Sequence, residues 1–111
     1  MLLNFEKNGK NLIVKISGEL DHHTAANVRM KIDNNLESMG FPNLIWDLSD
    51  MNFMDSSGIG VVIGRYKKVT EYRGKVALTS LKPNVRKVFE LGGIFSLIKE
   101  YNNVNEAIQN F

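Results

Sequence analysis

The chain of 111 residues contains no cysteine, only two prolines and no long uninterrupted apolar segment. Without cysteine it can form no disulfide, no catalytic thiol and no thiolate-bound metal site. No apolar run approaches the roughly 20 residues that a membrane-spanning helix requires, and no leader of basic, apolar and small residues opens the sequence. These absences predict a cytoplasmic protein that does not contact a membrane.

The charge is nearly balanced, with 14 lysines and arginines against 12 acidic residues. The basic residues are scattered along the second half and are not interleaved with aromatic ones, so direct nucleic-acid binding is not expected. A hydrophobic content of 43% supplies one core in a chain of this length. We therefore predict a single domain that spans residues 1–111.

The order of the predicted elements is that of a small α/β domain. The chain opens with two alternating segments around a turn, which predicts an N-terminal β-hairpin whose second strand ends near Gly18. Strands and helices then alternate, which favours a mixed sheet with helices packed mainly against it. The nearly continuous apolar strand at 43–48 is expected at its centre. The predicted strands cover residues 2–6, 11–17, 43–48, 75–79 and 97–101, with residues 49–54 as a linking segment.

Residue types that start and stop helices delimit four predicted helices. Asp21 or Thr24 can cap the first helix, and Gly40 follows its end. Pro83 is typical of a first turn, and Asn103 with Glu106 resembles a capping box. The first predicted helix begins after Asp21 or Thr24 and ends at residue 39. The other three cover residues 55 to about 72, 83 to 91 and 103 to 111.

One glycine-rich helix stands out from the rest. Asp55, Ser56 and Ser57 carry short side-chain oxygens that can accept hydrogen bonds from the free N–H groups of a first turn. Gly60 and Gly64 share one face, where each costs about 0.8–1 kcal/mol relative to alanine. Another element of the chain or a partner protein must cover that face. The apolar stripe on the opposite side comprises Ile59, Val62, Ile63, Tyr66 and Val69.

Three other chemistries fit the same residues poorly. The pair His22-His23 suggests a metal site, but adjacent residues at a helix start do not share a face, and the sequence shows no second ligand cluster. Ser56 or Ser57 would need a nucleophile elbow, Gly-x-Ser-x-Gly, to resemble a hydrolase, and it is absent. The glycines lack the third member of a dinucleotide fingerprint and the lysine of a phosphate loop. No metal, cofactor or catalytic residue is predicted.

Three segments carry the strongest functional signal. They are residues 18–25 (GELDHHTA), residues 51–68 with the sequence Asp-Ser-Ser-Gly, and residues 91–95 (LGGIF). In this order they resemble the anti-sigma factor antagonists of the STAS domain family, and the resemblance covers essentially the whole chain. It implies a STAS-type α/β domain and a regulatory protein that is not an enzyme. The sequence around Asp21 and Ser56 is most similar to the sequences of the family members that act in sporulation.

The resemblance implies a switch between protein partners. In that family the unmodified antagonist binds an anti-sigma factor, which is also an ATP-dependent serine kinase, and a sigma factor is released. The kinase phosphorylates the antagonist, which then dissociates until a serine phosphatase restores it. By motif position the implied phosphorylated residue is Ser56, with Ser57 as an auxiliary residue or cap. The alternative is a STAS module that binds proteins or ligands without phosphorylation.

The resemblance and the bare glycine face together predict a contact surface around Ser56. Phosphate at a helix N-terminus is tolerated, so we expect the fold to survive the modification. A docked partner would have to bury the unpaired dianion, so we expect the complex to break. A free monomer is expected, since the surface must remain open. The other predicted contact residues are Asp21, Thr24, Asp55, Ser57, Gly58, Gly60, Gly64 and Arg65.

Overall fold

The computed structural model describes residues 2–111, and in this part of the chain six strands and four helices follow one another. The strands are β1 (Leu2–Asn8), β2 (Asn11–Leu20), β3 (Asn43–Asp47), β4 (Met51–Met54), β5 (Val76–Thr79) and β6 (Lys99–Tyr101). The helices are α1 (Ala25–Ser38), α2 (Ser56–Glu71), α3 (Pro83–Leu91) and α4 (Val104–Asn110), with a 3₁₀ turn at Ile94–Ser96. The predicted alternation of strands and helices is confirmed.

The strands form one mixed sheet in the order β1-β2-β3-β5-β6. β1 and β2 are the predicted antiparallel hairpin, in which Leu3 lies opposite Ile16. The pairs β2–β3, β3–β5 and β5–β6 are parallel. β4 pairs in parallel with the C-terminal end of β2, where Leu20 lies opposite Met54. β3 therefore lies at the centre of the sheet, as its apolar sequence predicts.

Two predicted features near β4 are wrong. β2 does not end at Gly18 but continues to Leu20, because an irregularity between Gly18 and Glu19 shifts its end into register with β4. Gly18 has a φ of +100°, a conformation that glycine adopts without strain. The segment 49–54 is not a plain linker, since it contains β4, whose terminal residues Met51 and Met54 are buried. A strand of four residues is too short to show an alternating pattern in the sequence.

The hydrophobic core lies on both faces of the sheet. Helices α1, α2 and α3 cover one face, and α4 covers the other. The two faces follow from the alternation of side chains along a strand. The first face contains, from the sheet, Leu12, Val14, Ile16, Leu44, Trp46 and Leu78. The second contains Ile13, Ile45, Ala77 and Tyr101, against which Ala107 of α4 packs.

Helix α2 lies between α1 and α3 and contacts both. Of its predicted apolar stripe, Val62 and Val69 are buried, while the other three residues are half-buried against the core. Val61 and Arg65 are also buried. The buried arc is wider than the sequence predicts, because α2 has a helix on either side as well as the sheet beneath it.

Candidate functional site

The junction between β4 and α2 places Ser56 at the first position of the helix. Asp55 is the N-cap, and its carboxylate accepts a hydrogen bond of 2.9 Å from the Ser57 N–H. The N–H of Asp55 donates to the carbonyl of Leu20 at 3.3 Å, which ties the junction to the end of β2. Of the three candidate caps, Asp55 is therefore the one used. Ser56 is exposed, and its hydroxyl makes no hydrogen bond within the described residues.

The loop between β2 and α1 is closed by its own side chains. The Asp21 carboxylate accepts hydrogen bonds from the N–H groups of His23 (2.9 Å) and Thr24 (3.2 Å). The N–H of Asp21 in turn donates to the Thr24 hydroxyl at 3.0 Å. Desolvation acts to raise the pKa of Asp21, but these backbone hydrogen bonds and the neighbouring His23 outweigh it, so the pKa is lowered. Thr24 is the N-cap of α1, but its side chain accepts no hydrogen bond from the helix, so the predicted side-chain cap is wrong. Asp21 and Thr24 instead hold the loop that precedes α1.

An open cleft of about 530 Å³ lies between α1 and α2. Its lining includes His22 of the loop before α1 and Ser57 of the first turn of α2. A Cβ atom added at Gly60 or Gly64 would meet no atom within 4 Å. The bare face predicted from the sequence is therefore open and is not covered by another described part of the chain. We call this space the α1–α2 cleft. Its lining residues are His22, Ala25, Ala26, Arg29, Ser57, Gly60, Val61, Gly64 and Arg65.

Arg65 forms part of the wall of this cleft and is only 5% exposed. Its Nε lies 2.9 Å from Asp33 Oδ1 of α1, and Lys68 Nζ lies 3.2 Å from Oδ2 of the same carboxylate. Burial lowers the pKa of Arg65; the Asp33 carboxylate opposes this, and Arg29 adds to it. Arg65, which was predicted as a contact residue, thus also forms an ion pair between α1 and α2. Neither Asp33 nor Arg29 was predicted as a site residue, because contacts between helices follow no sequence spacing.

Gly58 differs from the other two glycines of α2. A Cβ atom at this position would lie 2.6 Å from Met54 Cγ and 3.1 Å from Leu20 Cγ. Gly58 therefore lets the first turn of α2 pack closely on β4 and the end of β2. Among the predicted contact residues, Ser56 and Gly60 are exposed and Gly58 and Arg65 are buried. Asp21, Thr24, Asp55, Ser57 and Gly64 are half-buried.

On the side of Ser56 away from the cleft lies an apolar patch, formed by Ile59, Val88 and Leu91. It lines a concavity of about 290 Å³ together with Ser56 and Gly92. Leu91 is 82% exposed, and its apolar side chain falls outside the buried stripe of α3. Ile59 was predicted to lie in the buried stripe of α2, and Leu91, although it begins the segment 91–95, was not predicted as a contact residue. The signal that could have identified Leu91 is its position on α3, where an apolar residue lies outside the buried stripe of an amphipathic helix.

The described residues hold no cluster of three or more histidine, cysteine, aspartate or glutamate side chains that could bind a metal ion. The ring centroids of His22 and His23 lie 3.9 Å apart, with the ring planes tilted by 39°, in the loop that precedes α1. Within residues 2–111, no helix has both the length and the apolar character needed to cross a membrane.

The sequence and the fold are similar to those of known proteins. A model of the STAS domain matches residues 3–107. The chain belongs to the STAS domain family. It is similar to the anti-sigma F factor antagonist of Paenibacillus polymyxa, with 38% identity over 97 residues that cover 87% of this chain and 83% of that protein.

Two solved structures of proteins named SpoIIAA are similar to this STAS domain. One is the anti-sigma factor antagonist SpoIIAA in its unphosphorylated form, with 31% identity and a TM-score of 0.85 over 98% of this chain and 95% of that one. The other is the Bacillus cell fate determinant SpoIIAA in the phosphorylated form, with 30% identity and a TM-score of 0.76 over 98% of both chains. The predicted family and fold class are confirmed.

The three glycines of α2 give a matched test of this site. Gly60→Ala and Gly64→Ala should each raise the free energy of unfolding by about 0.5–1 kcal/mol, because a helical glycine is replaced where there is open space. Gly58→Ala should lower it by about 1–3 kcal/mol, because the added methyl group overlaps Met54 and Leu20. Urea denaturation of the three variants measures the differences. Destabilisation by Gly64→Ala would show that this face is internal packing.

Proposed function

We propose that this STAS domain is an anti-sigma factor antagonist controlled by phosphorylation of Ser56. In the unmodified form it binds an anti-sigma factor that is also a serine kinase, and a sporulation sigma factor is freed. The observation that carries the proposal is the exposed Ser56 hydroxyl, which stays unbonded because Asp55 caps α2 in its place. The resemblance to SpoIIAA, whose structure is known in phosphorylated and unphosphorylated forms, supports it.

The two adjacent serines are not equivalent as phosphate acceptors. Ser56 is exposed, whereas Ser57 is half-buried and its N–H is engaged by the Asp55 carboxylate. A kinase active site must enclose the hydroxyl that it modifies, which favours the exposed residue. The N-terminus of the 16-residue helix α2 also has a dipole that favours a phosphate, and the N–H of Ser56 makes no hydrogen bond within the described residues. The domain can therefore carry the modification without refolding.

The surroundings of Ser56 explain how a phosphate would release the partner. The apolar patch lies on one side of this residue, and the α1–α2 cleft begins at its neighbour Ser57 on the other. A partner that contacts both regions closes over Ser56. Phosphorylation adds a charge of about −1.5 to −2 at the centre of that contact, beside the carboxylate of Asp55. Burial of an unpaired charge costs several kcal/mol, which corresponds to a loss of affinity of about a hundredfold or more.

The remaining parts of the proposed cycle follow from this switch. A serine phosphatase removes the phosphate and returns the antagonist to its binding form. The domain acts in the cytoplasm and is a monomer when free, because the patch and the cleft must both be open to the anti-sigma factor. ATP is supplied through the partner kinase, so the domain itself needs no cofactor.

The first test uses the anti-sigma factor of the same cells as kinase, with ATP. Mass spectrometry should find one phosphate, on Ser56, in the native protein and in Ser57→Ala, and none in Ser56→Ala. Titration calorimetry should then show that the phosphorylated protein binds the anti-sigma factor at least about a hundredfold more weakly than the unmodified one. Phosphate on Ser57, or equal affinity of the two forms, would contradict the proposal.

The second test concerns the apolar patch. Leu91→Ala should reduce affinity for the anti-sigma factor about tenfold, because an exposed leucine loses the apolar area that the partner would cover. Its free energy of unfolding should change by less than about 0.5 kcal/mol. Leu97→Ala is the matched control, since Leu97 is also exposed, at 50%, but does not line the patch. Equal affinity of the Leu91→Ala and Leu97→Ala variants would show that the patch is not part of the interface.

A further inference from the structure

The α1–α2 cleft carries an excess of positive charge. Arg65 and Arg29 line it, and Lys68 lies one turn along α2 from Arg65. Arg65 and Lys68 share the single carboxylate of Asp33, at 2.9 and 3.2 Å. Arg29 is exposed and lies within ion-pairing distance of no carboxylate among the described residues. Three basic side chains, two of them in the cleft wall, are thus matched by one carboxylate, and the cleft is complementary to negative charge.

Arg65 also has hydrogen-bond donors that the domain does not use. The residue is 95% buried, and neither its Nε nor its Nη1 makes a hydrogen bond within residues 2–111, because Nε approaches Asp33 Oδ1 as an ion pair without hydrogen-bond geometry. A guanidinium offers five N–H groups in a planar fork. The Asp33 carboxylate, already shared with Lys68, cannot accept all of them. A buried donor without an acceptor is costly, so an acceptor that enters the cleft at Arg65 would be bound favourably.

The shape of the cleft favours a protein segment over a single ion. Its volume of about 530 Å³ is more than ten times the roughly 30 Å³ that one water occupies in the liquid. Gly60 and Gly64 leave the backbone of α2 open along one wall, so the main chain of a partner can approach closely. Ser57 lines the mouth of the cleft and adjoins Ser56. The cleft therefore continues the surface that the proposed function assigns to the anti-sigma factor.

We propose that the α1–α2 cleft receives an acidic segment of the anti-sigma factor, whose carboxylate is bound by Arg65 and Arg29. The inference rests on the proposed function and specifies the chemistry of the partner at this site. Arginine and carboxylate can pair through two parallel hydrogen bonds, which fixes orientation as well as charge. Phosphate on Ser56 then acts twice, because it places an unpaired dianion in the interface and repels the acidic segment next to it.

The test compares variants that carry the same change of charge on α1. Arg29→Gln should weaken binding of the anti-sigma factor about three- to tenfold and reduce the dependence of the affinity on salt. Lys31→Gln is the control, because Lys31 is also exposed on α1 but does not line the cleft; its affinity should change less than about twofold. Arg29 makes no ion pair in the described structure, so both variants should fold.

A second pair of variants adds charge to the cleft. Ala26→Glu places a competing carboxylate on the cleft wall and should weaken binding more than about tenfold. Asn27→Glu, at an exposed neighbouring position outside the cleft, should have a much smaller effect. Replacement of each surface aspartate and glutamate of the anti-sigma factor by its amide should then identify one residue whose effect disappears in the Arg29→Gln background.

The outcomes separate the two proposals. If the native domain binds the anti-sigma factor but Arg29→Gln and Ala26→Glu bind as their controls do, the proposal of an acidic segment in the cleft is overturned. The proposed function then still stands. The same holds if binding weakens as expected but no carboxylate of the partner couples to Arg29. If the native domain does not bind the anti-sigma factor, both proposals fall.

Discussion

The hydrogen bond from the Ser57 N–H to the Asp55 carboxylate determines the character of the site. It satisfies a donor of the first turn of α2 with a side chain that precedes the helix, so neither serine hydroxyl is needed as a cap. The N–H of Asp55 is held in turn by the carbonyl of Leu20. The start of α2 is therefore attached to the end of β2 by the backbone, and Ser56 is presented to solvent from a fixed position.

The glycines of α2 lie on two faces of the helix, one packed against the domain and one open. Gly58 lets the first turn lie close to Met54 and Leu20, whereas Gly60 and Gly64 leave the opposite face open. The pair between Arg65 and Asp33 holds α2 against α1 below that open face. A helix that had to bury a full stripe on every side could not expose its backbone in this way. The cost of two helical glycines is thus explained by the cleft that they leave open.

The local features of this domain were predictable from the sequence, and the long-range ones were not. The caps of α2 and α4, the hairpin and the central strand depend on neighbouring residues and on periodicity, so they could be identified before the structure was known. The predicted cap of α1 was wrong, because Asp21 and Thr24 bond within the loop that precedes the helix. The short strand β4 was missed, because four residues with only Met51 and Met54 buried show no clear pattern. The ion pair of Arg65 with Asp33 was missed, since the two residues belong to different helices. Leu91 belongs to the segment 91–95 that carries the family resemblance, but its contact role was not predicted, because an exposed leucine becomes informative only when the fold places it beside Ser56.

The central claim is that phosphate at Ser56 changes a surface and leaves the domain otherwise unaltered. The most direct measurement is a comparison of the amide NMR spectra of the unmodified protein and the protein phosphorylated on Ser56. The account predicts shifts confined to Asp55, the first turns of α2 and the adjoining loop at Asp21–Thr24, with the amides of β3 and β5 unchanged. Widespread shifts throughout the sheet would contradict it, because the phosphate would then act by rearranging the fold.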